Sequence, residues 1–365
     1  MTGPVADDGA DGALGGPVLV VGAGLIGASV AMALTRAGVE TYIRDIDPTV
    51  AHVAASRGAG SDGTPREAPE LVVVATPPDQ LGEEIARALS DYPSAVVTDV
   101  GSVKTKPLAR LEELGVGTRR YVGGHPMAGS ERSGPLASTA DLFDGRTWAV
   151  VDRPDAEATS VRVVERLVET CGAVVVHMSA VDHDRAVARV SHLPHVVAAL
   201  TAARLVGAPS EHLALSGQGL RDVTRVAASD PGLWRQIVTA NADAVGALLR
   251  QLRAEMDCLI DCLEARDGAG VGRILQAGVD GVGGIPGKHG GPSLALAAVT
   301  VAIPDEPGAL ARLFADAADA DVNIEDLRID HDPARAFGLV ELDVSDDLAD
   351  WLMSFLRTRN WTAHR

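Results

Sequence analysis

Residues 18–35, VLVVGAGLIGASVAMALT, run for 18 positions without a charge. Length alone would let such a run cross a bilayer. Glycines at 22, 24 and 27 and an acidic flank argue against a span, and no second such run occurs, so no membrane partner is expected. What the run constrains is the start of the fold. A β-rich stretch, VLVV, passes through GAGLIG into a helix-period segment, and a GxGxxG in that context is the phosphate turn of a doubly wound α/β sheet. Gly22 permits the tight turn, Gly24 lets a pyrophosphate approach the backbone, and Gly27 lets helix and strand pack closely. Leu25 and Ile26 open the helix whose N-terminus meets the phosphate charge. Asp45 ends the next β-rich run, 18 residues past Gly27. There it would hydrogen-bond ribose hydroxyls and repel a 2′-phosphate, favouring NAD over NADP; Arg44 beside it blunts that preference. Thr76, in ATPPD at the end of a further run, falls at the carboxyl edge where the cofactor lies.

The rest of the chain divides into blocks. Residues 1–16 read as a flexible acidic tail without the positive start of a signal peptide. From 17 to 178, apolar β-rich runs alternate with helix-length segments, which predicts a Rossmann-type, NAD-binding parallel sheet covered on both faces. From 179 to 282 the strand signal disappears and an all-α domain is expected. Its most regular stretch, residues 230–267, predicts one helix of about eight turns, N-capped by Asp230 with Pro231 at the first helical position, Asn241 being the one polar exception on its apolar face. A helix that long, roughly 50 Å, suggests packing against a second subunit, hence a homodimer. GGIPGKHGGPS, 283–293, is a Gly/Pro linker. Residues 294–365 read strand, helix, strand, strand, helix, strand, a small βαββαβ module.

Composition narrows the function. A formal net charge of −18 excludes a nucleic-acid binder, which needs a cationic surface; an anionic small molecule would need a local cluster of Arg, Lys and His. Cys171, Cys258 and Cys262 form no CxxC or even framework, in keeping with buried thiols in a reducing cytoplasm.

Four further stretches carry chemistry. DVGSVKTK, 99–106, puts Ser102 and Lys104 just past a strand end, and GGHPMAGSERSG, 123–134, puts His125 at the end of the following strand. Both converge on the edge where a nicotinamide would sit. Oxidising an alcohol by hydride transfer needs a group to take the hydroxyl proton, and histidine is suited to that near neutral pH; a serine beside it can orient the pair. SHLPH, 191–195, places Ser191 and His195 on one helix face and His192 elsewhere. On residues alone it reads as core packing, substrate contact or metal ligation. For a metal, only His183 is near enough to complete the set and no Cys or carboxylate gives a recognisable spacing, so none is expected. Arg221 and Arg225, four apart on a helix, read as a carboxylate clamp or as a solvated, salt-bridged face.

Taken together, GAGLIGAS, DVGSVK, GGHPMAGSERSG, SHLPH and RDVTRVAASDPGLW resemble the prephenate dehydrogenase family in order and spacing, from Pro17 to about Val282. The resemblance implies that prephenate, a small-molecule substrate, loses a hydride to NAD and carbon dioxide from its ring, giving 4-hydroxyphenylpyruvate. It implies His125 as the group that deprotonates the ring hydroxyl and Ser102 as the residue positioning that pair. Arg225 would grip a substrate carboxylate. Ser191, His195 and Ser130 would line the pocket, and Arg221 stands where the family usually has Lys. L-Arogenate is the alternative substrate, although SHLPH contains no acid to pair with its ammonium. Residues 294–365, with PDEPGALARLF and VNI, look like an ACT module. That likeness implies a tyrosine effector near Asp305, Gly308 and Asn323, or a module that only strengthens the dimer. A β-hydroxyacid dehydrogenase would use a lysine in the helical block, and residues 179–282 contain none. An NAD-binding regulator without activity would need a degraded cleft, whereas Ser102, His125 and Arg225 are all present.

Overall fold

In the computed structural model of the chain, the described residues are 14–129, 134–285, 295–331 and 337–365. They begin with β1 (Val18–Val21), α1 (Leu25–Arg36), β2 (Thr41–Arg44), α2 (Pro48–Ser56), β3 (Ser61–Asp62), β4 (Leu71–Val74), α3 (Leu81–Asp91), β5 (Val96–Asp99), α4 (Thr105–Glu113) and β6 (Tyr121–Pro126). β7 (Thr147–Val151), α5 (Ala158–Thr170) and β8 (Val174–Met178) complete one sheet of order β3-β2-β1-β4-β5-β6-β7-β8. The uncharged run at 18–35 is therefore a buried strand and a helix, and no described helix is long and apolar enough to cross a membrane.

Strand side chains alternate between two cores, as the period of two requires. Val18, Val20, Val73, Val122 and Trp148 pack towards α1 and α5, while Leu19, Val21, Val72, Val74 and Val97 pack towards α3 and α4. Burying each such side chain is worth about 1.5–3 kcal/mol, so the centre of the sheet is rigid.

The expectation of an all-parallel, doubly covered sheet fails at one end. β7 runs antiparallel to β6, with His125 opposite Ala149 and Pro126 opposite Trp148. Parallel neighbours need a crossover, usually a helix; between these two the described residues hold only the turn Pro135–Ala137. β8 is parallel to β7 and leaves Val174 and Val176 exposed.

The helical block comprises α6 (Ala180–Val187), a π turn at Ala188–His192, α7 (Leu193–Ala203), α8 (Ser210–Leu213), α9 (Gln218–Thr224), a tight turn at Arg225–Ala228, α10 (Pro231–Ala240), α11 (Ala242–Glu264) and α12 (Gly268–Gly283). Asp230 caps α10, accepting from the Gly232 N–H at 2.9 Å. The single long helix is not formed: the chain leaves helical geometry at Asn241 (φ −114°, ψ 32°). The buried Asn241 amide explains the break, because its Nδ2 reaches the Asp184 carbonyl at 2.7 Å and His192 Nδ1 at 3.2 Å, and a side chain so engaged sets the local backbone. α11 alone, with 23 residues, is about 35 Å long. Its Met256, Ile260 and Leu263, and Leu275, Val279 and Val282 of α12, stand exposed.

Two compact units, Met1–Asp257 and Cys258–Arg365, divide inside α11. In the second unit, β9 (Leu296–Pro304), α13 (Ala309–Asp319), β10 (Asp326–His331), β11 (Phe337–Ser345), α14 (Asp346–Thr358) and β12 (Thr362–His364) form a βαββαβ sheet of order β10-β11-β9-β12 with antiparallel pairs. Val299, Val301, Val340 and Leu342 pack with Leu313, Leu352 and Leu356 of its helices. Of the expected linker, residues 286–293 lie outside the described residues.

Candidate active site

The glycine turn has the steric logic its motif requires. Gly22 has φ +107°, and a Cβ there would meet the Ala75 carbonyl oxygen at 2.4 Å. At Gly27 a Cβ would stand 1.9 Å from the Gly22 oxygen, whereas above Gly24 nothing lies within 4 Å. Gly27 thus packs helix on strand, and Gly24 leaves open the approach to the start of α1, where Leu25 and Ile26 lie. Asp45 follows β2, and its carboxylate accepts from the Ala23 N–H at 2.7 Å and the Asp47 N–H at 3.0 Å. Thr76 follows β4, and its buried Oγ1 has no hydrogen-bond partner. An open cradle at Gly24, an acid beside it and an orphaned hydroxyl at the sheet edge fit a dinucleotide.

Three strands away, His125 ends β6 and is half-buried. Its Nδ1 lies 2.9 Å from Nε2 of His183 on α6, and Nδ1 of His183 lies 2.8 Å from Asp184 Oδ1. Asp184 also accepts the backbone N–H groups of Lys104 and Thr105, at 2.8 and 2.9 Å, and the Thr105 hydroxyl. These bonds satisfy the start of α4 and tie α6 to the loop after β5. Burial alone would raise the Asp184 pKa, but the hydrogen bonds from His183, Thr105 and Lys104 outweigh it and the net shift is downward. His125 is held well below the usual histidine value, first by withdrawal from water and then by His183, Lys104 and His192. It is therefore neutral, as a base must be.

The structure places the other expected site residues unequally. Ser102 is half-buried on the loop after β5, but the group bonded to His125 Nδ1 is His183. Lys104, expected at the open edge, turns inward instead. It is fully buried, with Nζ on Asp99 and on the Gly124 carbonyl at 2.6 Å, because Asp99 is buried there and needs a counter-charge. Ser191 lies in the π turn, so it and His195 are not one α-helical step apart on a regular helix. His195 is buried, stacked on Trp234 at 3.4 Å and 6°, with Nδ1 unpartnered; burial lowers its pKa. His192 is buried against Asn241 and its pKa is pushed down to about 4, mainly by burial.

Arg221 and Arg225 do not share one continuous helix. Arg221 is in the last turn of α9 and Arg225 opens the tight turn after it; both are exposed, and both elements pack on α7. Ser130 lies outside the described residues. In the second unit, Asp305 and Gly308 (φ +89°) line a recess of about 240 Å³ with Pro304, Pro307, Ile329 and Gly338. Asn323 does not line it and instead donates to Glu325 Oε1 at 2.6 Å. Among the described residues no cluster of three or more His, Cys, Asp or Glu is placed to hold a metal.

Asp184 and Asn241 were missed from the sequence. The sequence signal for Asn241 is a lone amide on an apolar helix face; for His183 the sequence suggests only a metal ligand.

A doubly wound sheet with a glycine turn at one strand end and, at another, a neutral histidine backed by a second, carboxylate-bound histidine defines a dinucleotide-dependent oxidoreductase. Residues 30–177 match the family model described as prephenate dehydrogenase, nucleotide-binding domain, and residues 179–277 match prephenate dehydrogenase, dimerization domain. The chain belongs to the prephenate dehydrogenase family. It is 36% identical to the probable prephenate dehydrogenase NovF of Streptomyces niveus, over 95% of this chain and 99% of that one. The solved prephenate dehydrogenase of Aquifex aeolicus, in complex with hydroxyphenyl propionate and NAD+, is 31% identical. It matches with a TM-score of 0.66 over 73% of this chain and 97% of that one. Synechocystis arogenate dehydrogenase is 27% identical with a TM-score of 0.62, over 72% and 96%.

Proposed function

We propose that this chain is an NAD-dependent prephenate dehydrogenase, oxidising and decarboxylating prephenate to 4-hydroxyphenylpyruvate. The observation that carries this reading is His125 at the end of β6, neutral and hydrogen-bonded through Nδ1 to His183, on the sheet whose other strand ends carry Gly22–Gly27, Asp45 and Thr76. Bound NAD would accept the hydride. Gly24 and the start of α1 would hold its pyrophosphate, Asp45 its ribose hydroxyls, and Thr76 Oγ1 a polar atom at the sheet edge. His125 would take the ring hydroxyl proton, with Ser102 beside it. Arg225, with Arg221, would hold a carboxylate, and His195, Ser191 and Ser130 would line the pocket. Residues 17–178 serve as the cofactor domain, 179–282 as the substrate and dimer domain, and 294–365 as an appended regulatory module.

A second reading, arogenate dehydrogenase, is favoured by the likeness to the Synechocystis enzyme. The unpartnered Nδ1 of His195 and the absence of an acid in SHLPH favour prephenate. NADH absorbance with each substrate offered separately tests both. A rate with prephenate is expected, arogenate alone would replace the substrate, and silence with both would leave a cofactor-binding regulator.

The exposed apolar residues of α11 and α12 support a homodimer. Cys171 is buried, but Cys258 is exposed and Cys262 half-buried, against the expectation of buried thiols; all three are unpaired, which suits a reducing cytoplasm. The βαββαβ topology supports an ACT-type module, with the recess at Asp305 and Gly308 as its amino-acid site. Tyrosine at millimolar concentration is expected to slow NADH formation; an unchanged rate would leave that module with a purely structural role.

A further inference from the structure

The reaction proposed above has a proton balance that the site must satisfy. Prephenate dianion and NAD give 4-hydroxyphenylpyruvate monoanion, carbon dioxide and NADH, with no proton released. The hydroxyl O–H bond breaks as the ring is oxidised. The ring–carboxylate bond then breaks, its electron pair runs to the ring oxygen, and that oxygen takes a proton back. The protein needs somewhere to keep one proton between these events.

Resting on that functional reading, we propose that His183 and Asp184 are the store, in a relay of three side chains. The hydroxyl proton passes to Nε2 of His125, the proton on its Nδ1 passes to Nε2 of His183, and the positive charge is held between His183 and the Asp184 carboxylate. Aromatisation reverses both transfers.

Hydrogen bonding assigns the tautomers this requires. An ionised carboxylate only accepts, so Nδ1 of His183 carries hydrogen and its Nε2 presents a lone pair. Nδ1 of His125 therefore donates to His183 across 2.9 Å, which leaves Nε2 of His125 as the base. His183 is buried, at 1% exposure, so water does not compete for its Nε2.

The surrounding charges favour the same end state. Asp184 keeps its charge because Lys104, Thr105 and His183 all donate to it. The Lys104 ammonium is matched by Asp99, and His192 is held against Asn241. A cation on His125 itself is opposed by burial and by the Lys104 ammonium. On His183 the same cation would lie 2.8 Å from a carboxylate oxygen. These are positioning residues, since neither needs to touch substrate.

The test is single-turnover NADH formation in mixtures of light and heavy water, for wild type and His183→Gln. Two protons moving together give wild type a curved dependence on deuterium fraction. The variant's amide can accept from His125 but cannot take a proton. Its rate is expected to fall about tenfold or more, as when the group behind a catalytic histidine is lost. Its deuterium dependence should become linear, and KM should stay within about twofold. An active wild type with a linear dependence overturns the relay, and that result does not require the variant to fold. A His183→Gln protein with the wild-type rate and curvature also overturns it. A wild type silent toward both prephenate and arogenate overturns the functional reading, and the relay with it.

Discussion

Replacing His125 with asparagine is expected to lower kcat by about two to four orders of magnitude, the range a lost general base spans. Asparagine is the informative choice because its Nδ2 falls near the place of the imidazole Nδ1. The variant can still donate to Nε2 of His183, so the bond that spans 2.9 Å and the packing of α6 against the sheet survive. Only the lone pair at Nε2 is removed. Affinity for NAD should therefore be unchanged, because Gly24, Asp45 and Thr76 lie at other strand ends. His125→Gln makes the complementary change, placing an amide near Nε2 and abandoning His183. Stopped-flow kinetics with a separate titration of NAD distinguishes the two. Wild-type turnover in His125→Asn would remove this histidine from the chemistry.

The second large effect concerns stability. Lys104→Met is expected to destabilise the first compact unit by about 3 kcal/mol, at the lower end of the 3–5 kcal/mol that breaking a buried ion pair costs. Asp99 is completely buried. It would keep the Tyr121 hydroxyl at 2.7 Å and the Gly101 N–H at 2.9 Å, which is why the lower end applies. Burial already lowers the Lys104 pKa, against the pull of Asp99 and Asp184. In Asp99→Asn the lysine can shed its proton, so that variant should lose less. The double variant should recover most of the Lys104→Met loss, since no uncompensated charge remains. Urea midpoints of the four proteins decide the matter. Equal losses in the Met and Asn single variants would mean that packing, not charge, sets the cost.

Much of this arrangement could be read from the chain because it is local. The glycine turn, Asp45, the Asp230 cap with Pro231, and the βαββαβ order each follow from neighbours within a few residues or from a single period. What was misread depends on direction or distance. Apolar runs such as TWAVV show that a strand is buried but not which way it points, and β7 is reversed. The bonds from Asp184 to Lys104, Thr105 and Asn241 join residues 57 to 80 positions apart. Nothing in DVGSVK or AVDHDRAV taken alone announces that they meet. The resemblance implies Ser102 as the residue that positions His125; that His183 meets its Nδ1 could come only from the fold, which brings it from another block.

Asp184 joins segments that the chain supplies separately. Its side chain holds Lys104, Thr105 and His183, and its carbonyl holds Asn241, which in turn holds His192. Such a knot changes what mutational search can achieve. Single exchanges at these positions each leave a buried donor or acceptor bare and register only as losses. An altered specificity that needs the knot reshaped would have to be sought by varying these positions together.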